Sequence, residues 1–165
     1  FGDKPGDVNA YAASVFFSVD RYASYKQDWG GYYRQGGLLI ADRYTTSNAV
    51  HQTSKLPPEE RDAFLDWLFH FEYHLLGLPE PSRVLYLDMP TEATERMMRQ
   101  REAATHTSAD IHEKDEEYLR RCRENAAYVV ERCGWTRIDC ARGDTPRTIE
   151  DIHNEVMARV ADLIG

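Results

Sequence analysis

The sequence predicts an α/β fold in which helices cover a parallel sheet, and three observations support this class. Helical and strand-like segments alternate along the chain, as they do in such folds. The strand-like segment at 83–89 is apolar nearly throughout, which is typical of a strand covered on both faces. The chain has 165 residues, enough for one domain with a substantial core. We therefore expect a single domain over residues 1–165.

The first predicted helix covers about residues 8–28, with Asp7 as its N-cap. Its apolar stripe has helical spacing and comprises Val8, Tyr11, Ala12, Val15, Val19 and Tyr22. Gly36 and Gly37 then turn the chain into a predicted strand at 38–42, whose first four residues are apolar.

A second helix is predicted at about 59–76, where Pro57 and Pro58 begin it and Gly77 and Pro79 end it. Its apolar residues are Phe64, Leu65, Trp67, Leu68, Phe71 and Leu75. The strand at 83–89 follows. The remaining elements are a short helix from the cap residue Thr91 to Arg101, a polar loop at 102–110, a helix at 113–133 ended by Gly134, a strand at 136–141 and a last helix from about 148. The last helix is expected to bury Ile149, Ile152, Val156, Val160 and Leu163.

Charge and composition favour a partner other than nucleic acid or membrane. The net charge of −8 argues against a nucleic-acid-binding face, although a few arginines can still hold a small anion. No apolar run approaches the length of a membrane span. The three cysteines, Cys122, Cys133 and Cys140, form no CxxC pair, so reduced thiols in a cytoplasmic protein are the simplest interpretation.

Asp42 and Arg43 end the strand predicted at 38–42, and ligands of parallel sheets bind at the carboxyl ends of strands. A carboxylate there can orient Mg²⁺ through water, and an arginine fork suits phosphate oxygens. Asp88 lies at a similar strand end. The polar residues that follow Arg43 favour a binding loop and are Thr45, Thr46, Ser47, Asn48, His51 and Gln52. A purely structural ion pair between Asp42 and Arg43 is the alternative.

Phe17 and Arg21 lie one turn apart on the first helix, opposite its main apolar stripe. Spacing alone favours packing of Phe17 against another helix. The same pair also suits a flat heteroaromatic ligand, on which the ring stacks while the guanidinium donates to a carbonyl. A third cluster, Arg96, Arg99 and Arg101, is either a solvated helix end or a lid that supplies cations to a transferring phosphoryl group.

With these residues in hand, the chain resembles the thymidylate kinase family of P-loop nucleoside-monophosphate kinases. Three segments carry the resemblance: "FFSVDRY" (16–22) is similar to the thymine-binding helix, "DRYTTSNAVHQ" (42–52) to the strand-end motif, and "VLYLDMPTEATERMMRQR" (84–101) to the next strand and the run into the lid. The resemblance implies a three-layer α/β/α parallel sheet, with a lid at about 96–113.

The resemblance also implies roles for the matching residues that face the nucleoside. Phe17 would stack on thymine, and Arg21 would donate to a base carbonyl. Asn48, aided by Ser47, would read the base edge, and Gln52 would support the nucleotide.

Other matching residues would face the phosphates. Arg43 would contact the substrate phosphate, and Asp42 would lie near Mg²⁺ and the acceptor phosphate. Arg99 and Arg101 would reach the phosphates of ATP. The implied activity is phosphoryl transfer from MgATP to dTMP by a cytoplasmic homodimer whose ligands are small nucleotides.

Two departures from the family pattern bear on function. His51 stands where the family has Tyr or Phe beside the sugar, and no GxxxxGK[ST] phosphate-binding loop occurs in the sequence. We expect the first strand-helix-strand unit to be absent and the sequence to be part of a longer protein. Without the central strand, the strands at 38–42 and 83–89 would face an empty slot. A kinase for another deoxynucleotide or nucleoside, and a non-catalytic nucleotide-binding protein, are the alternatives.

Overall fold

The computed structural model describes residues 7–94, 96–98, 116–143 and 145–164, with side chains from residue 120 onward in the helix that begins at 116. The chain divides into two compact units, residues 1–82 and 83–165. The first unit is helical, and the second contains the described β-strands.

Two interruptions of π-helix are the distinctive feature of the first unit. Its elements are α1 (Ala10–Ser24), a first π-helix (Tyr25–Trp29), α2 (Gly30–Arg34), α3 (Thr45–Thr53), α4 (Pro58–Phe69) and a second π-helix (His70–Leu75). In both π-helices a backbone N–H reaches five residues back, from Gly30 to Tyr25 O and from Leu76 to Phe71 O. π-Helical turns are rare in proteins, and many of those that occur lie at functional sites.

The start and the buried face of α1 both differ from the prediction. Asn9, not Asp7, is the N-cap, because its Oδ1 accepts a hydrogen bond of 2.8 Å from Ala12 N. The buried residues of the helix are Ala10, Ala13, Ser14 and Ser18, whereas Val15 and Val19 of the predicted stripe are exposed. Small side chains allow a close approach of α1 to α3, where Ala49 is fully buried.

The predicted strand at 38–42 is wrong. These residues adopt no regular structure, and Leu38, Leu39 and Ile40 are exposed by 54%, 40% and 92%. A parallel strand forms only against a neighbour, and no described strand pairs with this segment. An apolar run predicts a strand from its own composition, but a strand also needs a neighbour to pair with, and the run does not specify one.

The predicted second helix is confirmed as α4 and the π-helix that continues it. Pro58 occupies the first turn, and Gly77 ends the helix with a φ of +67°, a left-handed conformation that glycine adopts without strain. Phe64, Leu65 and Leu68 are fully buried and form the core of the first unit, although Leu75 is exposed. Tyr11 covers this core from α1, with its ring 5.1 Å from that of Phe64 and 4.7 Å from that of Trp67.

The second unit contains a small parallel sheet. Strand β1 (Leu85–Asp88) pairs in parallel with β2 (Thr136–Asp139), in a register that sets Leu85 opposite Thr136 and Asp88 opposite Asp139. The strand predicted at 136–141 ends early, because the chain turns into an antiparallel hairpin of β3 (Ala141–Arg142) and β4 (Thr145–Pro146). The described part of the fold is thus helix-rich with a small parallel sheet, which agrees with the predicted α/β class.

Two helices complete the second unit, α5 (Glu116–Cys133) and α6 (Ile149–Ile164). Gly134 ends α5 with a φ of +64°, as predicted. The predicted burial of the apolar stripe of α6 is wrong for Ile149 and Leu163, which are 89% and 38% exposed. Ile152, Val156 and Val160 of the stripe are half-buried, and no residue of α6 is fully buried. The described sheet beside it has only two strands and offers a narrow surface for packing.

The segment after β1 is helical at residues 91–94 and 96–98. Thr91 does not cap this helix, because the carbonyl of Pro90 accepts the first helical hydrogen bond, from Thr94 N at 2.9 Å. Most of the predicted lid at 96–113 lies outside the described residues. Within the described chain, no helix is long and apolar enough to cross a membrane.

Candidate active site

A buried carboxylate, Glu72, forms the centre of a polar cluster in the first unit. It lies in the second π-helix and its side chain has no exposed surface. Arg21 of α1 grips it with two bonds, from Nε to Oε2 at 2.8 Å and from Nη2 to Oε1 at 2.6 Å. Ser18 Oγ donates to Oε1 at 2.8 Å, and Thr45 Oγ1 donates to Oε2 at 2.5 Å. Each carboxylate oxygen therefore has two donors within hydrogen-bond distance, with the single Ser18 proton shared between Oε1 and Ser14 O, which lies 2.7 Å from Ser18 Oγ. These contacts compensate the burial of the carboxylate.

Two tyrosines border this cluster. The ring of Tyr44 lies under the Arg21 guanidinium, with 5.8 Å between Cζ and the ring centroid, and its hydroxyl donates to Pro79 O at 3.0 Å. Burial and the nearby charge of Glu72 raise the pKa of Tyr44 above its ordinary value of 10.0. Burial also raises the pKa of Tyr73, although a hydrogen bond with Thr45 lowers it in part.

These raised pKa values predict a loss of stability at high pH. Between pH 10 and the folded-state pKa values, unfolded Tyr44 and Tyr73 ionise while the folded side chains stay protonated. Their contribution to stability is therefore complete below about pH 10 and falls as the pH rises above it. Urea unfolding at pH 8 to 11 checks this, and Tyr44→Phe with Tyr73→Phe should flatten the profile. An unchanged profile in the double variant would contradict the prediction.

Arg43 lies at the start of α3 in an unusual backbone conformation. Its φ is +69°, a left-handed value that is uncommon for a residue with a side chain. Its Nε donates to Ser47 Oγ at 2.8 Å, so the guanidinium lies beside the first turn of α3. That turn has no side-chain cap and no acidic residue, and its partial positive charge favours an anion. Strain of this kind is often retained at functional sites.

Asp42 has an exposed side chain next to Arg43. Among the described residues, no three His, Cys, Asp or Glu side chains are placed to hold a metal ion together. One exposed carboxylate still fits Mg²⁺, because this ion keeps several waters and binds through one or two carboxylates plus substrate phosphates.

The interface between α1 and α3 contains further polar side chains. Asn48 is buried and its Nδ2 lies 3.5 Å from Ser14 O, at the limit of a hydrogen bond. In the described part of the chain, three buried polar atoms of α1 and α3 have no hydrogen-bond partner: Ser14 Oγ, Gln52 Oε1 and Thr53 Oγ1. Buried polar groups are usually satisfied, so each of these atoms is suited to a water molecule or a polar ligand atom.

The structure thus places the predicted residues in two groups. Arg21 of α1 binds Glu72, and Asn48 of α3 lies against Ser14 of α1. Gln52 is buried on α3, and Arg43 joins Ser47 at the start of that helix. Phe17 lies on α1 with 42% of its surface exposed, and His51 is half-buried on α3. Arg99 and Arg101 lie outside the described residues.

Sequence reasoning missed Glu72, Ser18 and Thr45 as members of the site. One signal could have found Glu72: it follows Leu68 by four residues and Leu65 by seven, so helical spacing puts a carboxylate on the buried face. A buried carboxylate needs a cation, and Arg21 was already a candidate.

Asp88, at the carboxyl end of β1, is fully engaged in ion pairs of the second unit. Arg123 Nε lies 3.1 Å from Oδ1, and Arg137 Nη2 lies 2.6 Å from Oδ2. The three side chains, with Tyr86 and Trp135, line an open cavity of about 1200 Å³. These pairs give Asp88 a structural role in the described chain.

The described fold is that of an α/β protein, and its arginines suit an anionic ligand. The family model "Thymidylate kinase" matches residues 4–156. The chain therefore belongs to the thymidylate kinase family, which confirms the resemblance seen in the sequence.

Curated relatives carry the same description. The chain is 29% identical over 119 residues to thymidylate kinase of Mycobacterium tuberculosis (strain ATCC 25618 / H37Rv), a match covering 70% of this chain and 55% of that protein. It is 27% identical over 163 residues to a probable thymidylate kinase of Pyrobaculum aerophilum, covering 98% of this chain and 71% of that protein. The chain spans about half the length of the first of these relatives and 71% of the second.

Proposed function

We propose that the protein transfers the γ-phosphoryl group of ATP to dTMP, giving dTDP and ADP. The observation that carries the proposal is the family match over residues 4–156, which spans Arg21 and Arg43. In the reaction, a phosphate oxygen of dTMP attacks the γ-phosphorus, and the bond to the β-phosphate oxygen breaks. The attacking phosphate is already ionised near neutral pH, so no strong base is required.

The chain's own side chains supply binding and electrostatics. Arg43 holds the phosphate of dTMP, since its guanidinium lies at the positive end of α3. Arg21 donates to a base carbonyl, Phe17 stacks on the base, and Asn48 with Ser47 reads its edge. Mg²⁺, when bound, neutralises charge on the phosphates, and Asp42 would hold it through water.

Four further residues complete the proposed site. Gln52 supports the nucleotide, and its buried Oε1 without a partner is compatible with that role. His51 lies beside the sugar. Arg99 and Arg101 contact the phosphates of ATP from the lid.

We also propose that the protein acts as a homodimer in the cytoplasm. Three large side chains on one face of α1 are exposed and offer an apolar contact surface: Val15, Val19 and Tyr22. Light scattering of the purified protein tests the oligomeric state.

The substrate test compares dTMP, dUMP, dCMP and dGMP with the whole gene product and MgATP. We expect the highest kcat/KM for dTMP. The missing 5-methyl group should cost dUMP roughly 10- to 200-fold in kcat/KM. Equal turnover of all four nucleotides would contradict thymidylate specificity, and no turnover of any would contradict the activity.

A further inference from the structure

The contacts of Glu72 leave one arm of Arg21 available. Arg21 uses Nε and Nη2 on the carboxylate, and Nη1 has no hydrogen bond to a described residue. The Arg21 side chain is 17% exposed, so part of it is accessible to a ligand, whereas Glu72 is fully buried. A guanidinium fixed by two bonds on one side presents its remaining donors in a single direction.

We propose that Glu72 is a positioning residue that fixes the direction in which Arg21 donates to the pyrimidine base, and this inference rests on the function proposed above. Glu72 itself touches no nucleotide, because its side chain is fully buried. Its effect on substrate passes through the guanidinium of Arg21.

Saturation of the carboxylate explains why Arg21 cannot turn away. Two hydroxyls and two guanidinium nitrogens occupy the acceptor sites of Glu72. A different orientation of Arg21 would leave a buried charge with only the hydroxyls of Ser18 and Thr45. The arginine is therefore held in one conformation before ligand binds, so binding does not have to order it.

Glu72 also joins the proposed base contact to the proposed phosphate contact. Ser18 and Arg21 belong to α1, whereas Thr45 is the first residue of α3 and follows Arg43 by two positions. One carboxylate thus ties α1, which carries Arg21, to the first residue of α3, which follows Arg43 by two positions. The π-helix at His70–Leu75 supplies this residue, and π-turns are frequent at functional sites.

Base selectivity distinguishes this role from that of a structural ion pair. Arginine only donates hydrogen bonds, so a correctly directed Arg21 favours the 4-carbonyl of dTMP over the 4-amino group of 5-methyl-dCMP. A misdirected guanidinium loses that preference. A change in stability alone lowers the melting temperature and leaves the ratio of the two affinities as it was.

The test uses the whole gene product with Glu72→Gln, which keeps the size of the side chain and removes its charge. We expect KM for dTMP to rise roughly 10- to 100-fold with kcat nearly unchanged, by analogy with the loss found when the hydrogen-bond partner that orients a metal ligand is removed. The preference for dTMP over 5-methyl-dCMP should fall by a similar factor. Arg21→Lys should lose the same preference, and Arg21→Lys with Glu72→Gln should lose no more than Arg21→Lys alone.

Leu65→Val is the matched control, because Leu65 is buried on the same helical face seven residues earlier. It should lower the melting temperature and leave the selectivity ratio unchanged. If Glu72→Gln does not fold, Glu72→Asp replaces it, since a shorter carboxylate keeps the charge but displaces the guanidinium, and it should show the same loss to a smaller degree.

Wild-type selectivity in the Glu72 variant that folds would overturn the positioning role and leave the proposed kinase activity intact. The same holds if the Glu72 variant behaves like Leu65→Val. Absence of dTMP phosphorylation by the wild-type protein would overturn the proposed function and this inference together.

Discussion

An Arg43→Ala variant of the whole gene product should lose roughly 10²- to 10³-fold in kcat/KM for dTMP, the size of effect found when one preorganised donor to an active-site anion is deleted. The guanidinium is held by Ser47 at the first turn of α3, where the backbone dipole and the side chain act on the same anion. Alanine removes the guanidinium and leaves only the N-terminal backbone of α3 to bind the phosphate. Steady-state kinetics with MgATP in excess measures the loss.

A companion variant, Arg43→Gly, separates this loss from unfolding. The φ of +69° costs a residue with a side chain about 1–2 kcal/mol, which glycine avoids. The greater entropy of unfolded glycine offsets about 0.5–1 kcal/mol of that gain. Arg43→Gly should therefore be as inactive as Arg43→Ala and at least as stable as wild type in urea unfolding.

The control is Arg34→Ala, which removes another exposed arginine of the first unit. It should leave kcat/KM for dTMP at the wild-type value. If Arg43→Ala keeps wild-type kcat/KM, Arg43 has no part in phosphate binding.

A Phe64→Ala variant should lose about 3–5 kcal/mol of unfolding free energy in the first unit. The Phe64 ring has no exposed surface and lies 5.1 Å from the ring of Tyr11 and 5.7 Å from that of Trp67. Its removal opens a cavity between α1 and α4. Because Trp67 is adjacent, tryptophan fluorescence during urea unfolding reports the loss directly.

Phe16→Ala makes the same chemical change at a side chain that is 56% exposed on α1. Its cost should stay within about 0.5 kcal/mol, as is usual for surface positions. Similar losses for the two variants would mean that Phe64 does not anchor the core of this unit.

Elements with local signals were predicted well from the sequence. Pro58 begins α4 and Gly77 ends the π-helix that continues it. Both effects depend only on the backbone conformation that the residue itself favours, so they are visible in the sequence. The segment at 38–42 has an equally clear apolar pattern, yet it forms no strand, since pairing depends on a distant part of the chain. The prediction of the buried face of α1 was wrong for a related reason. Apolar spacing identifies a face of the helix, but the face that packs against the rest of the unit is the one with small residues such as Ala13 and Ser14.

The candidate site divides in the same way. Arg21 and Arg43 could be selected from the sequence because their positions in a helix and after an apolar run are visible there. The left-handed backbone of Arg43 has no sequence signal, because arginine seldom adopts it. The grip of Arg21 on Glu72 joins residues 51 positions apart, and one sequence shows no pairing at that distance.

The π-helix at His70–Leu75 makes the chain sensitive to small changes of length in this region. A π-turn contains one residue more than an ordinary α-turn needs. Deleting a single codon just before Glu72 would return this segment to α-helical winding, yet it would shorten the spacing from Leu68 to the acid from four residues to three and turn the acid away from its guanidinium. The helix backbone would tolerate the deletion but the buried pair of Arg21 and Glu72 would not, so the length of this segment constrains how the gene can evolve.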